Sequence, residues 1–310
     1  MLDYVIGMDG GGTKTEICIA GTDKSILVRF RGGAINYNGG SKALVDANIR
    51  MILQRIREEG YRSGECAGIC IGAAGISNPV IKTRIEEIIR KNGFTSPVSI
   101  VGDDVTAFAG ALEDKEGIVL IAGTGSICHG RDLDGKTYRA GGYGHIIDDA
   151  GSGYAIARDI LAAVVRAQDG RGEETALTDM VFRYLKIESI EEMIGYLYSP
   201  GRNKREIAQL SVLIQDAFTQ KDPAAVPIVQ KAANDLTELA GAVIKRMKRV
   251  SRLAVSGSVL LKNEDIYKEF VICMKNLYPD IGIIRPLQDA AYGAVLLALK
   301  LTQQEVTPTW

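Results

Sequence analysis

The chain has 310 residues, a length that allows two domains of ordinary size. Hydrophobic residues make up 46% of the sequence and charged residues 24%, which is typical of a globular protein rather than a disordered one. The 37 Lys and Arg residues nearly balance the 38 Asp and Glu residues, so no overall positive charge favours nucleic acid or an anionic membrane as a partner. No stretch reaches the ~18 apolar residues of a membrane helix, and the start of the chain does not have the pattern of a signal peptide.

The cysteine and histidine content argues against several kinds of site. The five cysteines are odd in number and do not show the CxxC or Cys/His spacing of a metal site. This pattern predicts free thiols in the reducing cytoplasm. The two histidines, His129 and His145, leave little material for a histidine-rich metal site or a histidine-based triad. The sequence therefore predicts a cytoplasmic protein.

Strands and helices alternate in the first part of the chain. Apolar or alternating runs predict strands at residues 2–9, 15–21, 25–31, 66–74 and 98–101, and helical spacing predicts helices at residues 41–60, 79–92 and 104–112. Ser41 stands at the expected N-cap position of the first helix, and Pro79 opens the second. Three strands followed by alternating helices and strands predict a mixed sheet with helices on both faces.

The same pattern begins again near residue 117. A strand at 117–122, a Gly/Thr turn and a second strand at 127–131 repeat the arrangement at the start of the chain. Residues 154–249 are predicted to be mostly helical, with short strands at 253–255 and 281–284 and helices within 257–277 and 287–301. We interpret the repeat as an internal duplication. It predicts domains at residues 1–113 and 114–310. The second domain has a helical insertion, and its last helix could pack against the first domain.

Glycine is the most distinctive part of the composition. There are 35 glycines, and many of them cluster in loops that follow predicted strands. Glycine lets backbone N–H groups approach a ligand without interference from a side chain, so several such loops indicate phosphate binding. No GxxxxGK[ST] or GxGxxG motif occurs, which excludes a Walker A loop and a dinucleotide fingerprint.

The first of these loops, DGGGTKT, follows the first predicted strand. Asp9 can hold hydrated Mg²⁺ while the glycine N–H groups that follow it receive phosphate oxygens. A tight hairpin turn is the alternative interpretation, but such a turn needs only about two residues with this freedom. The predicted phosphate-binding residues are Gly10, Gly11, Gly12 and Thr13.

The second loop, AGTGS, follows the first strand of the repeat. Its hydroxyl and backbone N–H groups could grip the other side of a polyphosphate. The motif is weak evidence alone, and it gains weight because it occupies the matching position of a repeated unit. The predicted binding residues are Gly123, Thr124, Gly125 and Ser126.

These motifs occur in the order found in a known superfamily. The segments DGGGTKT, AGTGS, GGYGH, DDAGS and SGS extend over nearly the whole chain and resemble the actin/hexokinase/Hsp70 ATPase fold. More specifically, they resemble the N-acetylglucosamine kinases and the BadF/BadG/BcrA/BcrD ATPase family. The resemblance implies an α/β fold of duplicated actin-like (ribonuclease H-like) domains with an interdomain cleft for ATP, Mg²⁺ and a small sugar. It implies a kinase that phosphorylates the 6-hydroxyl of N-acetylglucosamine or a related amino sugar.

The resemblance also implies a catalytic base in the segment VGDDVTA, where Asp103 is the matching aspartate. This carboxylate would accept the proton of the sugar hydroxyl as the phosphoryl group leaves ATP. Asp103 and Asp104 could instead cap the helix that begins near Val105, although one carboxylate is enough for a cap.

Two loops are implied to contact the sugar. Asn36 can exchange hydrogen bonds with sugar hydroxyls, and a turn asparagine is the alternative interpretation. Gly142 and Tyr143 belong to the next contact loop. There Tyr143 stands in place of the family's tryptophan and could pack its ring against the sugar.

Two further positions are implied to line the sugar site. Asp149 matches the sugar-binding aspartate of the family motif GDEGS, but Asp148 replaces its Gly and Ala150 replaces its Glu, so the identity of the acceptor stays open. Cys128 matches a cysteine of the kinases' sugar site. An ordinary buried residue is an equally good interpretation of Cys128.

The nucleoside is implied to bind near the segment SGS, where Gly257 and Ser258 begin a helix. Ala208 could pack on adenine, with an ordinary buried alanine as the alternative. Small residues at 290–294 start the last helix and permit close packing against a sheet.

A second functional hypothesis is an ATPase of the BadF/BcrA type that activates a partner enzyme. The resemblance implies that cysteines of such activators bind an iron–sulfur cluster at a dimer interface. A cluster of this kind needs paired thiolates, which this sequence does not place together. A third hypothesis is a non-catalytic sugar sensor. The basic run at 245–249 is interpreted as a solvated helix end, with nucleic-acid binding as a minor alternative. A homodimer is expected from the prevalence of such assemblies.

Overall fold

A computed structural model describes residues 3–11, 13–37, 41–73 and 78–303 of the chain. The described residues form two compact units. The first is drawn from Met1–Lys115 and Pro286–Trp310, and the second is Glu116–Arg285. Each unit contains one mixed five-stranded sheet with helices, so the predicted α/β class is confirmed. None of the helices in the described ranges is long and apolar enough to cross a membrane.

The strands, in chain order, are β1 Tyr4–Gly10, β2 Lys14–Gly21, β3 Ile26–Gly33, β4 Cys66–Ala73, β5 Val98–Val101, β6 Gly117–Ala122, β7 Ser126–Arg131, β8 Thr137–Gly141, β9 Arg252–Ser256 and β10 Gly282–Ile284. The helices are α1 Lys42–Glu58, α2 Pro79–Lys91, α3 Asp103–Leu112, α4 Gly153–Gln168, α5 Leu177–Leu185, α6 Ile190–Leu197, α7 Lys204–Ala208, α8 Leu213–Thr219, α9 Ala225–Ile244, α10 Ser258–Lys262, α11 Glu264–Leu277 and α12 Ala290–Gln303.

The two sheets have the same topology, which confirms the predicted duplication. The first sheet has the strand order β3-β2-β1-β4-β5, and the second has the order β8-β7-β6-β9-β10. In each, the first strand pairs with the second antiparallel and with the fourth parallel. Hairpin connections produce the antiparallel half, and helical crossovers produce the parallel half.

One strand, β8 at Thr137–Gly141, is absent from the prediction. It lies at the edge of the second sheet, and its side chains are half-buried or exposed. A strand in this position does not need an apolar face, so the sequence carries no alternating hydrophobic signal there. Strand β8 ends at Gly141, and the Gly141–Gly144 loop therefore begins at the end of this strand.

The last helix, α12, packs against the first sheet, in agreement with its small residues. A Cβ atom at Gly7 of β1 would lie only 2.5 Å from the backbone nitrogen of Val295 in α12. Ala291, Ala294 and Ala298 are buried in the same contact. Close packing of this kind forms many dispersion contacts, which are individually weak and together stabilise the contact. It also places the start of α12, at Asp289, beside the first glycine loop.

Candidate functional site

The first glycine loop joins β1 and β2 in the first unit. The Gly11 N–H donates to the Lys14 carbonyl at 3.0 Å, and this bond closes the hairpin. Gly10 ends β1 in a buried position, whereas Gly11 and Thr13 are exposed. The predicted residue Gly12 lies outside the described residues. The exposed tip therefore has the accessibility that a phosphate-binding loop requires.

Asp9, the predicted metal residue, lies in a cluster of negative charge. Its pKa is raised from the usual 3.8 to about 6, first by burial and then by the carboxylates of Asp103, Asp289 and Glu16, while Lys14 has a smaller lowering effect. A raised pKa means that the negative charge on Asp9 is poorly compensated by the protein itself. A cation bound next to Asp9 would relieve this repulsion.

Asp289 reaches this cluster from the N-terminus of α12. Its carboxylate accepts the Tyr292 N–H at 2.9 Å and forms an ion pair with Arg29 of β3. Asp9 and Asp289 line a cavity of about 710 Å³, and Arg31 and Arg55 also form part of its wall. The roles of Asp289 and Arg29 were missed from the sequence, because residues so far apart along the chain give no local pattern.

Asp103 and Asp104 both lie in the first turn of α3, and Gly102 occupies the N-cap position. The interpretation of either aspartate as the helix cap is therefore wrong. The carboxylate carbon of Asp104 lies 3.2 Å from the place where Gly102 would carry a Cβ atom, so this side chain folds back over the start of the helix. The negative charge of Asp103, in contrast, helps to raise the pKa of Asp9. The structure thus brings the predicted base and the predicted metal residue together.

Asn36 lies in the loop that follows β3 and is half-buried. Its neighbours Ile35 and Tyr37 are buried. The turn interpretation of Asn36 rested on Asn38 and Gly39, and these residues lie outside the described part of the chain.

The second glycine loop, Gly123–Ser126, joins β6 and β7 in the second unit. Its Gly123 N–H donates to the Gly125 carbonyl at 2.9 Å. Among the described residues, no atom lies within 4 Å of the position where Gly123 would carry a Cβ, so the loop has open space on that side. The Gly123 carbonyl accepts the Gly153 N–H at 2.8 Å, and the Thr124 carbonyl accepts the Tyr154 N–H at 3.3 Å. The loop therefore rests on the first turn of α4.

Asp149 lies beneath this second loop rather than at the surface. It is only 3% exposed and has a left-handed backbone with φ of 64°. Its Oδ1 accepts the Ser126 N–H at 3.2 Å. Within the described residues its Oδ2 has no hydrogen bond, and the Nζ of Lys204 lies 3.7 Å away. Lys204, at the start of α7, was not found from the sequence.

The Gly141–Gly144 loop presents Tyr143 to solvent, with 66% of its surface exposed. Asp148 accepts the Tyr143 N–H at 3.0 Å. Arg139 donates to the Gly142 carbonyl at 2.9 Å, and its guanidinium lies 5.2 Å from the centre of the Tyr143 ring. The departure from the family motif at Asp148 therefore has a structural use, because its carboxylate holds the backbone of the aromatic residue.

Cys128 is fully buried on β7, in the hydrophobic core of the second unit. Burial raises the pKa of its thiol. The position favours the interpretation of Cys128 as a core residue. All five cysteines are free thiols, and four of them are buried. In the described ranges, no three His, Cys, Asp or Glu side chains are grouped as a metal-ion site.

The residues that are predicted to bind the nucleoside lie near the second glycine loop. Gly257 has a φ of 85°, and a Cβ there would overlap the backbone of Ala122. Ala208 is buried, with its carbonyl oxygen 3.5 Å from the Cβ position of Gly153. Ser258 lines a cavity of about 200 Å³ together with Ser211 and Gln215. Ser211 and Gln215 were not identified from the sequence.

The chain is similar to known proteins over nearly its whole length. The model of the BadF/BadG/BcrA/BcrD ATPase family matches residues 6–298. An N-acetylmuramic acid/N-acetylglucosamine kinase of Clostridium acetobutylicum is 36% identical over 96% of this chain and 98% of its own. An N-acetyl-D-glucosamine kinase of Dictyostelium discoideum is 30% identical over 96% of this chain and 98% of its own. A crystal structure from Chromobacterium violaceum, provisionally named an N-acetylglucosamine kinase, has a TM-score of 0.79 and 25% identity, covering 97% of this chain and 99% of its own.

Proposed function

This chain belongs to the BadF/BadG/BcrA/BcrD ATPase family, and from that premise we propose that it is an ATP-dependent amino sugar kinase. The acceptor would be N-acetylglucosamine or a close relative, phosphorylated at its 6-hydroxyl. The observation that carries the proposal is that Asp103 lies within electrostatic range of Asp9, beside the first glycine loop, where its charge helps to raise the pKa of Asp9. Together they provide a candidate proton acceptor and a candidate cation-binding group in one unit.

Asp103 is proposed as the general base. A carboxylate within hydrogen-bond reach of a sugar hydroxyl can accept its proton as the oxygen attacks phosphorus. Its place in the first turn of α3 suits this role, because the positive end of the helix dipole favours the ionised form. Asn36 would hold other hydroxyls of the sugar and so orient the attacking oxygen.

The glycine loops are proposed to hold ATP. The nucleotide supplies the phosphoryl group, and Mg²⁺ neutralises the charge on its phosphates. Mg²⁺ keeps several waters and uses phosphate oxygens as ligands, so Asp9 would contact it through one of those waters. The excess of negative charge around Asp9 favours a cation there, and the open space at Gly123 leaves room for a phosphate group.

The remaining predicted residues are assigned to two subsites in the second unit. Gly257 and Ser258 would bind the nucleoside, with Ala208 packed nearby. Tyr143 would present its exposed ring to the sugar, and Asp149 would act by supporting the second glycine loop. We also propose a cytoplasmic location, supported by the five free thiols, and a homodimeric assembly.

ADP release by the purified protein, measured with ATP and Mg²⁺ against a panel of sugars, tests this function. The panel contains N-acetylglucosamine, N-acetylmuramic acid, glucosamine, N-acetylmannosamine and glucose, with a buffer blank. Release that depends on an amino sugar, together with a phosphosugar product in mass spectrometry, supports the kinase. Release without any sugar points instead to an ATPase that acts on a partner enzyme.

A further inference from the structure

An ionic network centred on a buried carboxylate lies beside the loop at residues 34–37, the Asn36 loop, in the first unit. The Tyr37 hydroxyl donates to Oδ1 of Asp46 at 2.8 Å, and the Nε of Arg84 donates to the two oxygens of the same carboxylate at 2.9 and 3.0 Å. Tyr37 and Asp46 are buried. The network therefore joins the loop to α1, which carries Asp46, and to α2, which carries Arg84.

The loop is also fixed at the residues before Asn36. The Nδ2 of Asn48 in α1 donates to the Ala34 carbonyl at 2.8 Å. Ile35 is fully buried, and its Cδ1 lies 2.5 Å from the position of a Cβ at Gly10 of the first glycine loop. Asn36 is therefore flanked by two anchored residues, and little backbone freedom is left at this position.

The charge arrangement suits a device that fixes one conformation. Hydrogen bonds from Arg84 hold the pKa of Asp46 below its usual value against the effect of burial, and Tyr37 contributes in the same direction. Arg84 is exposed, and an ion pair with one exposed partner is a weak source of net stability because solvent screens the attraction between its charges. Several directional hydrogen bonds that converge on one carboxylate nevertheless restrict the orientation of every group that donates to it.

We infer that Tyr37, Asp46 and Arg84 are positioning residues, which hold Asn36 in the orientation that binds the sugar, an inference that rests on the proposed function. They act through Asn36 and do not touch the sugar. A loop that is already ordered loses little conformational entropy when the ligand binds, so the affinity for the sugar depends on the network. Asp46 interrupts the apolar face of α1 between Val45 and Ile49, and this interruption is a sign of the network that can be read along the chain.

Steady-state kinetics of Tyr37→Phe test the inference with the smallest structural change. This variant keeps the buried ring and removes only the hydroxyl that donates to Asp46. We expect the KM for N-acetylglucosamine to rise about three- to tenfold. We expect kcat to stay within about twofold of the wild type and the KM for ATP to be unchanged. Arg84→Lys, which keeps the charge but lacks the planar fork of donors, should raise the same KM.

A double-mutant cycle with Asn36→Ala separates positioning from a merely structural role. If the network acts through Asn36, Tyr37→Phe has no further effect on the sugar KM in the Asn36→Ala background. Equal effects of Tyr37→Phe in both backgrounds overturn the inference. Arg50→Gln is the matched control, because it removes a positive charge from the exposed side of α1 near Asp46, and it should leave both KM values unchanged.

Failure of the inference is distinguishable from failure of the proposed function. A wild-type enzyme that phosphorylates N-acetylglucosamine, with a sugar KM that Tyr37→Phe does not alter, overturns only the positioning role. A wild-type protein that phosphorylates none of the sugars in the panel overturns the proposed function and this inference together.

Discussion

The backbone N–H of Ser126 donates to the Oδ1 of Asp149 at 3.2 Å, across 23 positions of the chain. The hydroxyl of the same serine donates to the Ala150 carbonyl at 2.7 Å. These two bonds tie the end of the second glycine loop to the segment before α4. A carboxylate that is buried under a glycine loop fixes the direction of the loop's N–H groups, which is what a preorganised phosphate site requires.

The space between this loop and Asp149 has no room for a side chain at Gly125. A Cβ atom there would lie 2.7 Å from the Oδ1 of Asp149. We therefore predict that Gly125→Ala displaces the carboxylate from Ser126 and raises the KM for ATP about tenfold, a loss of ~1.4 kcal/mol in binding. Steady-state kinetics with varied ATP measure the effect.

Gly195→Ala is the matched control for Gly125→Ala. Gly195 lies in α6 of the same unit, and a Cβ there would meet no described atom within 4 Å. The control should leave the KM for ATP unchanged. Equal KM values for the two alanine variants would show that Asp149 does not set the geometry of the loop.

The fold was largely predictable from local patterns. Apolar strands that end in Gly-rich turns are contiguous in sequence, so β1, β2, β6 and β7 were located to within about two residues, and their repetition indicated the duplicated sheets. The edge strand β8 was not, because it buries no continuous face. Helix α3 begins one residue earlier than predicted because Gly102, not an aspartate, takes the cap position.

The contacts around the candidate site were less predictable, because they join residues that are distant in sequence. Lys204 approaches Asp149 across 55 positions, and Arg84 reaches Asp46 across 38. Periodicity describes which side of a helix or strand is apolar, but it does not specify which distant charge will meet it. Burial was equally hidden for Cys128, since a small apolar residue fits both a core and a ligand site.

The contact between β1 and α12 yields a prediction about stability. A Cβ at Gly7 would overlap backbone atoms of α12, which cannot move as a flexible side chain does. We expect Gly7→Ala to lower the free energy of unfolding by about 1–3 kcal/mol, the usual cost of overpacking. Urea unfolding measures it, with Gly64→Ala as the control, because no described atom lies within 4 Å of a Cβ at Gly64. A similar midpoint for both variants would contradict the close packing.

The two neighbouring aspartates of α3 should differ in their effect on catalysis. We predict that Asp103→Asn lowers kcat about 10²- to 10⁴-fold, the range expected for loss of a general base. Asp104→Asn is the matched control, and its kcat should stay within about tenfold of the wild type, because Asp104 folds over Gly102. The KM for ATP should change little in either variant. A larger loss of kcat in Asp104→Asn than in Asp103→Asn would contradict the assignment of Asp103 as the general base.

The electrostatic position of Asp9 predicts a pH dependence of stability. Its pKa is about 6 in the folded protein and has the usual value of 3.8 in the unfolded chain, so the folded protein holds more protons between these two values. Stability therefore falls as the pH rises through this window, and Asp9→Asn removes the loss. We expect the variant to gain about 3 kcal/mol over the wild type at pH 7 but only about 0.5 kcal/mol at pH 4. Urea unfolding of both proteins from about pH 4 to 8 measures the difference.

Glu16→Gln supplies a control of opposite sign for the Asp9 measurement. Burial tends to raise the pKa of Glu16, but hydrogen bonds from Lys14 and Arg31 outweigh it and hold this pKa below its usual value. Ionised Glu16 therefore contributes stability at neutral pH that is lost as the pH falls, so the glutamine variant should be slightly less stable than the wild type at pH 7. A stability difference between Asp9→Asn and the wild type that does not vary with pH would mean that neither burial nor the neighbouring carboxylates raise the pKa of Asp9 in the folded protein.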